Sequence, residues 1–287
     1  MKLYREFESQ EAIDREYDPV RRVADAQAVI EGWLARSRRV LDRVEARLGI
    51  PFGPTRAEYL DVYPAGSGAP VHVFFHGGYW RRFSARDFAF LAPAFREAGI
   101  TLVIPNYALC PSVRLTEIVR QARAAVAWVA RHAADFGGDA RRLTVSGHSA
   151  GGHLTAMVAA TDWPGDYGLP AETVRAGLAV SGLFDLRPFP FSWLQPTLQL
   201  DWREVWELSP LLRLPDGGPP LTVAVGGAES DEFRRQSRAF HEARRARGLA
   251  GRLLELPGLD HFRVLEELER PDSVLFRTVA EAAFGGA

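Results

Sequence analysis

Short apolar runs alternate along the chain with longer segments of helical periodicity. The runs at 58–63, 71–75, 101–104, 142–147, 176–181, 221–225 and 252–257 predict strands. Between them, 86–98, 114–134, 149–160 and 231–248 predict helices. The runs at 71–75 and 101–104 are too apolar to leave one face in water, so both faces are expected to be covered. Alternation of this kind predicts an α/β fold, a mostly parallel sheet flanked by helices. Ahead of it, 21–48 reads as one amphipathic helix, with Trp33, Ser37, Leu41, Val44 and Leu48 on one face and arginines on the other. Gly49 stops that helix, and Pro51-Phe52-Gly53-Pro54 serves as a connector. One segment breaks the rhythm. Residues 182–215 are rich in Phe, Trp, Pro and Leu, and an insertion of that length in an α/β fold is expected to cap or bind. There is no internal repeat and no low-complexity tract. The predicted organisation is one domain over 1–287, with an N-terminal helical extension over 1–54 and a small cap over about 182–215.

The strongest chemical signal is LTVSGHSAGGHL. An apolar strand runs into Gly147-His148-Ser149-Ala150-Gly151, and a helix of small and apolar residues follows. That is a G-x-S-x-G nucleophile elbow in the strand–turn–helix setting it requires, and it points to the α/β-hydrolase fold with Ser149 as nucleophile. The turn is too tight for flanking side chains, and the helix after it aims its first amides at a developing oxyanion. Without that setting, the plain reading of the motif is a glycine-rich turn with a surface serine.

His76-Gly77-Gly78-Tyr79-Trp80 follows directly on the strand at 71–75. A His-Gly-Gly turn in this place supplies backbone donors to the oxyanion. The donors expected are Gly78 and Tyr79, with Gly77 as a further one, together with Ala150. His76 is expected to pin the loop.

Serine needs a base, and in this fold the triad runs Ser, acid, His along the chain. Only His241 and His261 follow Ser149 with room for an acid between. His241 sits among charged neighbours within the predicted helix 231–248, whereas His261 lies on the glycine-containing loop after the last strand. His261 is therefore the predicted base. Glu229, Asp231 and Glu232 compete as the acid. Glu229 fits the short loop after the strand at 221–225, while Ser230 or Asp231 fits a helix cap, with Glu232 in the first turn. Glu229 is favoured and Asp231 kept open. His153, His72 and His132 read as structural, and Cys110 as a packed thiol.

Bulk properties narrow the field. Hydrophobic residues make up 47% and charged residues 25% of the 287, an ordinary globular balance. A net charge of -1 gives no electrostatic reason to expect nucleic acid or an acidic membrane as partner. Cys110 is the only cysteine, which excludes an intrachain disulfide and a cysteine-based zinc site. The first residues are charged throughout with no apolar h-region, and no apolar stretch is long enough to span a membrane. The expectation is a cytoplasmic enzyme acting on a small molecule without a metal or organic cofactor. An exposed edge strand or the N-terminal helix offers a surface for a homodimer, and the alternative role for that helix is to shape the pocket entrance.

HGGYW, NYAL-P, GHSAGGHL, SGLFDLRP, GGAESDEFRRQS and DHF, in that order, resemble the arylformamidase (kynurenine formamidase) group of α/β hydrolases. The similarity runs from about Tyr4 to the C-terminal helix. HGGYW and the EFRRQS stretch are its specific parts, and GHSAGG is shared far more widely. The resemblance implies Ser149 as nucleophile, His261 as base and Glu229 as acid. The better-studied eukaryotic members have aspartate at that last place, so glutamate is a departure. It also implies hydrolysis of N-formyl-kynurenine to kynurenine and formate, with activity on simple aryl esters. Tyr79, Trp80 and the cap residue Trp193 are the expected substrate contacts. Phe189, Phe191, Trp202 and Trp206 add to an aromatic cap whose plain use is packing. Arg81, Arg82 and Arg114 are candidates for a substrate carboxylate, against a plain reading as surface arginine. The rival readings are a general carboxylesterase and a non-catalytic protein on the same fold.

Overall fold

A computed structural model describes residues 2–285. Eight strands form one sheet: β1 (Arg47–Pro51), β2 (Tyr59–Tyr63), β3 (Ala69–Phe75), β4 (Thr101–Pro105), β5 (Gly138–His148), β6 (Ala176–Val180), β7 (Leu221–Gly226) and β8 (Leu253–Leu256). Their spatial order is β1-β2-β4-β3-β5-β6-β7-β8. β1 pairs antiparallel with β2, and β2 antiparallel with β4; every later pair is parallel. All residues of β3, β4 and β7 are buried, as expected of largely apolar strands covered on both faces.

The helices are α1 (Gln10–Tyr17), α2 (Pro19–Arg22), α3 (Ala26–Arg43), α4 (Ala92–Glu97), α5 (Leu115–His132) and α6 (Ala150–Ala159), then α7 (Trp163–Tyr167), α8 (Gln195–Leu198), α9 (Trp202–Glu207), α10 (Asp231–Ala246), α11 (Arg263–Glu266) and α12 (Val274–Phe284). α5 is amphipathic and buries Ile118, Val119, Ala122, Ala125, Val126 and Val129, the stripe that its 3.6-residue period predicts. α6 is buried on every side; most of its residues are small or apolar, and His153 and Thr155 are bonded to the Leu208 and Gly151 carbonyls. Among the described residues, no helix is long and apolar enough to cross a membrane.

The N-terminal region departs from its prediction. The helix expected over 21–48 is split: Arg21 and Arg22 close α2, and after a break α3 runs from Ala26 to its end at Arg43. Trp33 and Ser37 are buried as the pattern required, but Leu48 lies in β1 and is 42% exposed. Edge pairing captures this segment. Arg47 and Ile50 sit opposite Val62 and Leu60, and the Gly49 amide donates to Asp61 Oδ1 at 2.8 Å. These long-range bonds outweigh the weak helical preference of RLGIP. The segment before α3 is stitched to distant parts of the chain. Tyr4 Oη donates to Asp185 (2.7 Å), Tyr17 Oη to Glu232 (2.6 Å) and Ser230 Oγ to the Glu16 carbonyl (2.7 Å).

Candidate active site

β5 ends at His148, and α6 begins at Ala150. Ser149 between them has φ +58° and ψ −118°, a backbone conformation that costs a non-glycine residue energy and persists only where its surroundings impose it. The surroundings do. The Ser149 amide donates to the Val180 carbonyl at 2.8 Å, which ties the turn to β6. A Cβ on Gly147 would lie 2.2 Å from the Gly151 carbonyl oxygen, and one on Gly151 would lie 1.9 Å from that of Phe75. Both obstacles are backbone, so no rotamer change relieves them. Gly151→Ala is therefore expected to cost about 3 kcal/mol or more and to lower Tm by on the order of 10 °C. Calorimetry checks this beside Gly217→Ala, whose Cβ meets nothing within 4 Å.

Across the turn, β3 delivers the His-Gly-Gly loop. Gly77 is pressed against the elbow; a Cβ there would lie 2.9 Å from the His148 carbonyl and 3.2 Å from Ser149 Cβ. Gly78, Tyr79, Trp80 and Phe83 all have positive φ, at 105°, 50°, 55° and 73°. Among the described residues, no protein acceptor lies within hydrogen-bond reach of the amides of Gly77, Gly78 and Tyr79. Ala150, as the first residue of α6, has no intrahelical acceptor for its amide. His76 holds the loop from behind. Its Nδ1 donates to the Gly77 carbonyl at 2.8 Å, and its ring stacks on Tyr107 with 4.2 Å between centroids. Burial pushes its pKa down to about 4, so it is neutral at pH 7.

His261 lies on the loop after β8, and its Nδ1 donates to Glu229 Oε2 at 2.6 Å. Glu229 sits where β7 gives way to α10, and its other oxygen, Oε1, accepts from Ser181 Oγ (2.5 Å) and the Gly226 amide (2.8 Å). The carboxylate is thus fully buried, with three donors around it. Asp231 lies elsewhere: its side chain is 82% exposed and pairs with Arg234. Ser230 caps α10. His148 stands against the pair, with its Nε2 donating to the His261 carbonyl at 2.7 Å and its pKa well below the usual value through burial and the neighbouring His261.

Ser149 and His261 line one cavity of about 80 Å³ with mostly apolar walls. Gly77, Gly78, Tyr79 and Trp193 line it as well, and so do Trp33, Phe83, Phe88 and Phe262. The N-terminal segment contributes Asp18, Pro19, Val20 and Ile30; the sequence offered this region as one shaping the pocket entrance without naming these residues. Tyr79 is held there by its hydroxyl, which donates to the Tyr17 carbonyl at 2.6 Å. Trp193 is held by Asp14, which accepts its backbone amide at 2.8 Å.

Trp80 corrects the expectation that it contacts substrate. It is fully buried and absent from the cavity wall. Its ring stands edge-on to His153 and Phe189, inside the core. The other cap aromatics pack or face solvent. Phe189 is buried, whereas Trp202 and Trp206 are 50% and 52% exposed. His153 Nε2 donates to the Leu208 carbonyl at 2.8 Å and so fastens the segment over 182–215; burial lowers its pKa to about 4. Cys110 is buried, and desolvation raises its thiol to about 11, which leaves it protonated and unreactive. A larger groove of about 540 Å³ lies at the opposite ends of the strands, around Thr144, Gly177 and Thr222. It contains neither Ser149 nor His261, and ligands of open α/β sheets bind at the carboxyl ends. Among the described residues, no group of three or more His, Cys, Asp or Glu is placed to hold a metal ion.

An elbow serine, a buried histidine–carboxylate pair and a loop of unpaired amides on this sheet define a serine hydrolase of the α/β-hydrolase class. A family model of the alpha/beta hydrolase fold matches residues 72–188, from β3 through the elbow and into the cap. The chain is 30% identical to a kynurenine formamidase of Danio rerio over 250 residues, 84% of this chain and 83% of that one. It is 30% identical to that of Salmo salar over 241 residues, 81% and 80% of the two chains. The chain belongs to the kynurenine formamidase-like family of esterase-type α/β hydrolases. It is also 31% identical to the esterase LipQ of Mycobacterium tuberculosis over 256 residues, 81% of this chain and 60% of that one. A crystal structure of a candidate thioesterase from Silicibacter sp. tm1040 matches with a TM-score of 0.81 at 29% identity, covering 93% of this chain and 98% of that one.

Proposed function

We propose that this hydrolase cleaves an aryl formamide of the N-formyl-kynurenine kind, through a formyl-enzyme on Ser149. The observation that carries the reading is His261, held from behind by Glu229, lining the same small cavity as the elbow serine. Its relatives at 30% identity are kynurenine formamidases.

With its Nδ1 proton on Glu229, His261 presents Nε2 as an acceptor and takes the proton of Ser149 Oγ. The oxygen attacks the formyl carbon. The amides of Gly78, Tyr79 and Ala150, with Gly77 beside them, hold the oxyanion; one such donor is worth on the order of 10²–10³ in rate. His261 then protonates the departing aryl amine, a better leaving group than an alkyl amine. Water, activated by the same imidazole, releases formate and restores Ser149. None of these steps calls on a metal or cofactor.

The second reading is a carboxylesterase, favoured by the 31% identity to LipQ, since an ester passes through the same tetrahedral intermediate. The ratio of kcat/KM on N-formyl-kynurenine to that on p-nitrophenyl acetate separates the two. A formamide advantage is expected. Turnover of the ester alone would move the assignment to carboxylesterase.

A further inference from the structure

We infer that Arg81 and Arg82 form an anion-recognising rim that selects substrates whose leaving group carries a carboxylate. This rests on the hydrolase reading above and deepens it by naming a substrate class. Three arginines were candidates from the sequence, and the structure separates them. Arg114 is committed to Asp201 and Glu204, at 2.7 and 2.5 Å. Arg81 and Arg82 both line the Ser149 cavity, and neither forms an ion pair among the described residues.

The aromatic partners fix how these cations are presented. The Arg81 guanidinium lies over the Trp193 ring, 5.1 Å from its centroid, and that of Arg82 over Phe83 at the same distance. Stacking occupies a face of the guanidinium and leaves its N–H edge for a carboxylate. The backbone is fixed as well. Both arginine amides donate to the Gly78 carbonyl at 3.1 Å, within the loop that supplies the oxyanion donors. An anion held here is therefore placed relative to the reacting carbonyl. Asp18 is the carboxylate among the cavity-lining residues, and it is occupied by Arg21, whose Nε lies 3.0 Å away. The uncompensated charge at this wall is positive.

A formamide of an aniline bearing an amino-acid side chain has its carboxylate on the leaving group, where these arginines would meet it. A neutral aryl ester lacks that contact. The arginines are partly solvated, so the expected gain is about tenfold in kcat/KM, weakened by salt.

The test compares two pairs that differ in the carboxylate charge: N-formyl-kynurenine with its carboxamide, and 3-acetoxybenzoate with its methyl ester. Each is assayed with wild type, Arg81→Gln, Arg82→Gln, the double variant and Arg81→Lys, after Tm confirms folding. The ratio of kcat/KM for anionic over neutral substrate should fall about tenfold in the double variant. The loss should appear in KM more than in kcat, and Arg81→Lys should keep part of the preference. A double variant that keeps the wild-type ratio in both pairs overturns the inference. If the formamides are inert but the ester pair shows the arginine dependence, the rim stands and the formamidase reading falls. Formamide turnover with no arginine-dependent ratio has the opposite meaning.

Discussion

Replacing Ser149 with alanine is expected to lower kcat/KM by on the order of 10⁴–10⁶-fold on formamide and ester alike, with Tm within a few degrees of wild type. The two halves of that expectation have separate causes. Without Oγ there is no acyl-enzyme, and His261 has no nucleophile to activate. What remains is the rate that bound water and oxyanion donors provide. Stability is a different matter, because the bond that fixes the elbow is the Ser149 amide to Val180, which alanine keeps. Alanine also bears the positive φ of 58° no worse than serine does. Labelling by a fluorophosphonate probe, read by intact mass, should disappear with the activity. A Ser149→Ala protein that still turns over either substrate at more than about a hundredth of the wild-type rate would sink the nucleophile assignment, since loss of a triad member costs far more than that.

The reach of the sequence follows from where each piece of chemistry is encoded. The elbow was legible because strand, turn and helix are contiguous, and glycines at 147 and 151 are needed by clashes within one short peptide and with β3. Glu229 could be preferred over Asp231 because helix capping accounts for Ser230 and the residues after it. Of the cavity wall, Gly77, Gly78, Tyr79 and Trp193 were legible, but the N-terminal residues that complete it and the contacts that hold it were not. Tyr17 meets Tyr79 across 62 positions and Asp14 meets Trp193 across 179, and nothing local in either peptide announces such partners. Trp80 shows the converse limit. It is adjacent to Tyr79, as aromatic and equally left-handed in backbone, yet its ring packs into the core against His153 and Phe189, neighbours that nothing in HGGYW announces. Ser181, which donates to Glu229, also has positive φ, at 50°, but its hydroxyl in SGLFD reads as an ordinary strand-end residue. β1 was missed because RLGIP is largely exposed and carries no alternation to mark it.

Glu229→Gln is expected to lower kcat at neutral pH by on the order of 10³–10⁴-fold, with little change in KM. The size of the effect comes from which way the new amide must point. Glu229 Oε1 accepts from the Gly226 amide at 2.8 Å, and a backbone N–H cannot rotate away or become an acceptor. In the variant, the amide oxygen is therefore held toward Gly226 and Ser181, and the NH₂ group faces His261. His261 Nδ1 must then accept instead of donate, which puts the ring proton on Nε2 and removes the lone pair that Ser149 needs. Asp231→Asn should change kcat by no more than about twofold, because that side chain is exposed and engaged only with Arg234. The proton on the ring can be observed directly. ¹⁵N NMR of the imidazole should show His261 protonated at Nδ1 in wild type and at Nε2 in Glu229→Gln. Full activity in Glu229→Gln together with a large loss in Asp231→Asn would transfer the acid role to Asp231. Loss of activity with an unchanged tautomer would show that Glu229 acts through the position of the ring and not through its proton.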